Sequence, residues 1–183
     1  MRIALAAVAL GLVTGCASFH SEDAIPAVSS LDVERFMGDW YVVAAIPTFL
    51  DDECQNAIES YRLRDDGRID NEFVCRLGGP GADMRHMDAV ARIVDQQTRA
   101  DWKVRFFWPV SIPYRIFYVD EQYRYTAAGT PEGGYIWIMS RTRSMPDETY
   151  QEIVSLLERN GVDASQIVPI PHDERPPVPP VHP

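Results

Sequence analysis

Three cysteines, four histidines and one carboxylate in an apolar stretch are the residues of this 183-residue chain best placed to do chemistry. Cys54 and Cys75 flank "YRLRDDGRID", which reads as strand, turn, strand. In an oxidising compartment an even pair can bridge; otherwise they are two free thiols. A slip of one residue in register would put the two side chains on opposite faces. His20, His86, His172 and His182 are scattered. With no CxxC, HExxH or Gly-rich phosphate loop, neither a metal nor a cofactor is expected. Glu59, in "IESYRL", shares strand parity with Tyr61. Turned inward, its carboxylate could hold an amine or choline head. A bulge or early strand twist would turn it to solvent, which the cost of an unpaired buried carboxylate favours.

Cys16 ends a different pattern. Arg2 supplies a positive start, residues 3–13 are apolar, and Thr14 and Gly15 are small. Together they form a secretory signal. Eleven apolar residues are too few to cross about 30 Å of hydrocarbon as a retained span. Val13-Thr14-Gly15-Cys16 resembles a bacterial lipobox, which implies cleavage before Cys16 and acylation of that cysteine. An ordinary signal with an incidental cysteine is the plainer alternative. Residue 17 is Ala, not the aspartate that by the usual sorting rule retains lipoproteins in the inner membrane. The outer membrane, facing the periplasm, is therefore the expected location.

Charge excludes partners. Loss of Arg2 takes the formal net charge from −10 to −11. Nucleic acid, which needs a basic surface, is excluded. So is charge-driven docking on anionic headgroups. Membrane contact must come through lipid or apolar side chains.

The elements that must position these residues alternate with period two. Trp40, Val42, Ala44 and Ile46 share one face, and Met87, Ala89, Ala91 and Ile93 another. Trp102, Val104 and Phe106 follow, then Tyr114, Ile116 and Tyr118, then Tyr123, Tyr125 and Ala127, then Tyr135, Trp137 and Met139. With the strands around "RDDG" this makes eight, joined by turns, as in an up-and-down barrel or a sandwich. One helix follows. Residues 144–147 fit a capping box with Pro146 in the first turn. Tyr150, Ile153, Val154 and Leu157 keep helical spacing, and Asn160-Gly161 stops it. Residues 17–30 read as a polar spacer. Residues 169–183 contain seven prolines and read as an extended, unpacked tail.

"GDWYVVA" at 38–44 resembles the GxW motif that opens lipocalin barrels. "YRIFYVDEQYRYTAAGTP" at 114–131 resembles their sixth-to-seventh strand hairpin, with Asp120 and Tyr123 at the matching positions. "YIWIMSRT" at 135–142 resembles their last strand, ending in Arg141. The chain is most similar to the bacterial outer-membrane members of the apolipoprotein D-like lipocalin family. The resemblance implies an all-β, eight-stranded up-and-down antiparallel barrel with one C-terminal helix packed outside. It divides the chain into a signal (1–15), an acylated cysteine and spacer (16–30), a lipocalin domain (31–170) and a Pro-rich tail (171–183). Gly38, Trp40, Asp120, Tyr123 and Arg141 are then structural. Trp40 is large enough to plug the floor, and Arg141 can stack on its indole and bond surrounding chain ends.

A cup of this size holds one small ligand. Its inward face reads as Val42, Ala44, Glu59, Tyr61, Phe73, Ala89, Ala91, Val104, Phe106, Ile116, Tyr118, Tyr125, Trp137 and Met139. The implied function is binding of a long-chain ligand, a fatty acid or lysophospholipid, for storage or transport in the envelope, without catalysis. Two alternatives stay open: an enzyme using Cys75, and a structural lipoprotein with a filled barrel. Phe49, Leu50, Trp108, Val110 and Ile112 gather at the loop end opposite "RDDG" and "DEQ". They would meet the membrane, cap the cavity or pair two copies into a homodimer.

Overall fold

The structure, a computed structural model, describes residues 24–48, 53–78, 83–107 and 109–173. Cys16, Phe49, Leu50 and Trp108 lie outside the described residues. The strands are β1 (Gly38–Ile46), β2 (Cys54–Leu63), β3 (Ile69–Leu77), β4 (Met84–Ile93), β5 (Asp101–Phe107), β6 (Val110–Val119), β7 (Tyr125–Gly129), β8 (Ile136–Ser140) and β9 (Val168–Pro169). Neighbours in sequence pair antiparallel from β1 to β8, and β8 returns to β1, so the first eight close a barrel. Closure leaves no edge strand among them, although β4 pairs with β5 only over Val90–Ile93 and β1 with β2 only over Gly38–Tyr41. The short β9 adds to the outside of β1. Helix α1 (Val33–Phe36) closes one end, and α2 (Asp147–Arg159) follows the barrel.

Alternation puts one face of each strand inside, but bulges break it at four places. Between Val42 and Ala44 the β1–β8 register shifts. Ala45, not Ala44, then joins the interior cluster, while Ala44 packs beneath α2 with Ile138 and Leu157. The β6–β7 register shifts between Ile116 and Tyr118. Ile116 stays inside, Phe117 turns outward, and Tyr118 packs on that same outer cluster. The remaining bulges lie at Gln55/Ile58 and Val104/Phe107.

Three segments differ from the sequence reading. Residues 24–30 are not a spacer. Ile25 is fully buried in the outer cluster, its N–H donates to Pro131 O at 2.8 Å, and its carbonyl accepts from Arg115 Nη1 at 2.9 Å. Arg115 is itself held by Asp101. The start of the tail also packs: His172 Nε2 sits 2.8 Å from Val42 O, and Asp173 N–H donates to Asn56 Oδ1 at 2.9 Å. Finally, Pro146 is the N-cap of α2, with no side-chain cap bond. The Ser144 carbonyl is taken by the Ser140 and Thr142 hydroxyls in a turn out of β8. That turn, not a capping box, sets where the helix begins. Ile153 and Leu157 are its buried face, and Asn160 caps the end.

Candidate functional site

The barrel has a closed floor and an open mouth. At the floor Arg141 lies over Trp40 with its guanidinium carbon 3.6 Å from the ring centroid. Its nitrogens donate to the carbonyls of Asp39 (2.8 Å), Arg35 (3.0 Å), Phe36 (3.0 Å), Met37 (2.8 Å) and Tyr123 (3.3 Å). Desolvation lowers the Arg141 guanidinium to about 10. Trp40 Nε1–H donates to Phe36 O at 2.9 Å. Gly38 has φ +93, and a Cβ there would meet Arg141 Nη1 at 3.4 Å, so glycine suits both the backbone and the approach. Asp120 accepts from the N–H groups of Arg124 (2.5 Å) and Tyr125 (2.7 Å), pinning the β6–β7 turn. Tyr123, at φ 59 in that turn, accepts from Asp32 N–H at 2.8 Å.

Above this floor the interior is packed, then hollow. Phe36, Trp40, Tyr61, Trp102 and Tyr114 stack with successive ring centroids 5.2 to 5.9 Å apart. Tyr61 and Tyr114 share a hydroxyl–hydroxyl bond of 2.8 Å. Burial raises both phenols, with the Glu59 carboxylate adding to it, so both stay neutral. On top of Tyr114 and Trp137 sits a cavity of about 470 Å³, within the usual size range of small-molecule sites. Phe73, Val104, Phe106 and Ile112 form its apolar walls, and Phe107, Val110 and Tyr135 its rim. Glu59 and Asn71 supply polar groups at the wall, with Asn71 Nδ2 donating to Glu59 Oε2 at 2.5 Å.

Of the residues read from the sequence as inward-facing, Glu59, Phe73, Val104, Phe106 and Trp137 line this cavity. Val42, Tyr61, Ala89, Ala91, Ile116 and Met139 belong to the packed interior cluster. Ala44 and Tyr118 lie outside, for the bulges given above; Tyr118 reaches Glu152 of α2 at 3.4 Å. Tyr125 also misses the interior. Thr126 and Ala128 are buried partners of Met139 and Trp137, so Tyr125 takes the opposite face, with Arg124 over its ring. Glu59 is not turned to solvent: it is only 9% exposed. Its strand stays in register with Trp40 and Phe73 on either side.

The sequence reading omitted Asn71 and Tyr114 as site residues. Both share parity with residues it chose, Phe73 and Ile116. Ile112, read as rim, is on the cavity wall and part of β6.

Cys54 and Cys75 form a disulfide, with Cα atoms 5.5 Å apart. In the β2–β3 register Cys54 faces Leu77 and the bulge between Gln55 and Ile58 follows, so the bridge is diagonal and not directly cross-strand. Bridged, Cys75 offers no thiolate. Among the described residues one group, Glu72, His86 and Asp88, brings three potential ligand atoms within 4.8 Å of one another. It lies on the outer face of β3 and β4, where His86 Nε2 sits 2.6 Å from Glu72 Oε1. The same three residues help line a depression of about 610 Å³ with Arg62, Arg64, Asp70 and Arg105. It adjoins the barrel cavity, sharing Asn71, Asp88 and Phe106 with it, but is far richer in charged residues.

Comparison with known proteins agrees with this architecture. A family profile described as the lipocalin-like domain matches residues 31–172. The chain is 31% identical over 169 residues to the outer membrane lipoprotein Blc of Escherichia coli (strain K12), covering 92% of this chain and 94% of that relative. It is 31% identical over 161 residues to temperature-induced lipocalin-1 of Arabidopsis thaliana, covering 82% and 84%. Insecticyanin from the tobacco hornworm Manduca sexta superposes with a TM-score of 0.64 at 16% identity, covering 82% and 85%. That last likeness bears on the fold alone.

Proposed function

The chain belongs to the lipocalin-like family, and on that premise we propose that it is a carrier of single-chain lipids in the bacterial envelope. A fatty acid or lysophospholipid is the proposed ligand, held for storage or transport. The observation that carries this reading is the apolar cavity over an aromatic floor. Each methylene moved from water contributes about 0.8 kcal/mol. A sixteen-carbon chain would gain a gross ~12 kcal/mol, from which ordering and association costs are subtracted. Micromolar binding is within reach without any catalytic group. The disulfide leaves Cys75 no free thiol to act as a nucleophile, which supports a binding role.

The lipobox at Cys16 and the name of the relative, an outer membrane lipoprotein, support an acyl anchor in the outer membrane facing the periplasm. Saturable displacement of N-phenyl-1-naphthylamine by long-chain lipids tests the carrier reading. No saturable displacement by any acyl chain would sink it.

A further inference from the structure

We infer that the cavity selects a single-chain amphiphile whose head is an ammonium group, primary or quaternary, entering first and seated on Glu59. The inference rests on the reading of the barrel as a carrier of apolar chains and names the head that the chain bears.

The carboxylate is placed for this. Glu59 is 9% exposed, on a rigid central position of β2 between Trp40 and Phe73 in register. Asn71, on the next strand, donates to its Oε2 at 2.5 Å and so fixes the orientation of the carboxylate at the cavity wall. Its charge is felt inside, since it helps raise both Tyr61 and Tyr114. The walls beside it are aromatic: Phe73, Phe106, Tyr114 and Trp137. The charged residues bordering the cavity among the described residues are Glu59 and Asp88, with no Lys, Arg or His; the Asp88 side chain is 79% exposed on the outer face, which leaves Glu59 as the buried charge.

A carboxylate among aromatic faces is a receptor for cations. A primary ammonium gains a charge-assisted bond to the oxygen, and its three hydrogens suit an acceptor-only group and the phenol oxygens below. A quaternary ammonium has no N–H to donate and is held by the carboxylate charge and by the ring faces. Other heads fare worse at this depth. A fatty-acid carboxylate would face a like charge. A methyl end driven to the same depth would shield Glu59 from water without offering it a hydrogen bond. The aliphatic chain then runs up past Val104 and Ile112 toward the rim at Phe107 and Val110.

The test uses the disulfide-intact protein and displacement of N-phenyl-1-naphthylamine by twelve-carbon ligands below their micelle concentrations. Dodecylamine and dodecyltrimethylammonium should compete at least tenfold better than dodecanol, about 1.4 kcal/mol, and dodecanoate worse than dodecanol. Glu59→Gln should cut the ammonium advantage to under threefold and leave dodecanol affinity in place, which also reads the variant's fold. Asp88→Asn, at an exposed carboxylate (79%), should keep the advantage. Dodecylphosphocholine separates two sources of the same head. Binding like the trimethylammonium ligand points to zwitterionic lipids, and binding no better than dodecanol points to free amines. Equal or better binding of dodecanol or dodecanoate by the wild type overturns the inference and leaves the carrier reading standing. An ammonium advantage that survives Glu59→Gln also overturns it, because it then reports attraction to the net charge of −10. Failure of every ligand, dodecanol included, overturns the carrier reading itself.

Discussion

Trp40 and Arg141 should behave as one structural unit, and a double-mutant cycle measures how far they do. Trp40 is fully buried at the floor, and Trp→Ala at such a site costs about 3–5 kcal/mol. The indole also gives up its bond to Phe36 O, but that carbonyl keeps Arg141 Nη2 at 3.0 Å and is not orphaned. The packing loss therefore dominates. Arg141→Ala removes donors from five carbonyls. Bonds to a charged donor contribute about 1.5–3 kcal/mol each where their loss leaves groups dry. Here Asp39 and Arg35 lie at the exposed rim of the floor, where water replaces the donor. A net loss of about 3 kcal/mol follows, at or below that for Trp40→Ala. The stack contributes about 1–2 kcal/mol when partly desolvated, and the two residues share Phe36 O. The double variant should thus lose at least 1 kcal/mol less than the sum of the singles. Urea unfolding followed by far-ultraviolet circular dichroism gives all three values without relying on Trp40 fluorescence. Additivity within about 0.5 kcal/mol, with unchanged m-values, would show that the 3.6 Å contact carries no energy.

Other consequences are simpler to read. Cys16→Ser should move the protein from the membrane fraction to the soluble fraction, because several acyl chains anchor stably where one is marginal; a wild type already soluble in the periplasm removes the anchor. Burial lowers His172 below 6.5, with Arg143 adding to the effect and Asp173 and the Val42 carbonyl opposing it. The folded state then binds fewer protons than the unfolded one, so stability contributed by the docked 171–173 segment is present above pH 6.5 and declines as the pH falls below it. His172→Gln should flatten that decline in thermal unfolding between about pH 5 and 7, and an unaltered slope refutes the assignment. At the mouth, Phe107 is 65% and Met84 41% exposed. Replacing Met84, which does not line the cavity, with Ser should slow lipid uptake from vesicles while leaving affinity for dispersed ligand nearly unchanged; if uptake only follows a fall in affinity, this side chain belongs to the pocket and not to a membrane contact.

Strand count, order and closure were legible because alternation survives over much of each strand and the turns are short. What the sequence could not carry was parity across a bulge. Ala44 and Ala45 are chemically identical, and the register shift after Val42 decides which one faces the cavity side. Phe117 and Tyr118 both turn outward for the same reason. Tyr125 was read by counting from Tyr123, but Tyr123 sits in the turn with positive φ, so the alternation restarts after it. Asn71 was legible by parity and missed by polarity, since a search for apolar walls passes over an amide. Depth is the other hidden quantity. Tyr61 and Phe73 share a face and differ only in height, yet one packs into the floor and the other borders the hollow.

The interior does two opposed things, and the distribution of packing explains how it can. A hollow forfeits contacts that a filled core would make. The lower half offsets this with an aromatic stack from Phe36 to Trp137. A second buried cluster lies outside the barrel, where Ile25, Phe117, Ile138, Ile153 and Leu157 pack between the sheet and α2. Its stability does not depend on what the cavity holds. Near the mouth, above the aromatic stack, the buried Cys54–Cys75 bridge ties β2 to β3. Substitutions along the cavity wall therefore meet a scaffold fixed on three sides. Selectivity at Glu59 can change there without the whole barrel following, whereas the floor tolerates no such separation of stability from shape.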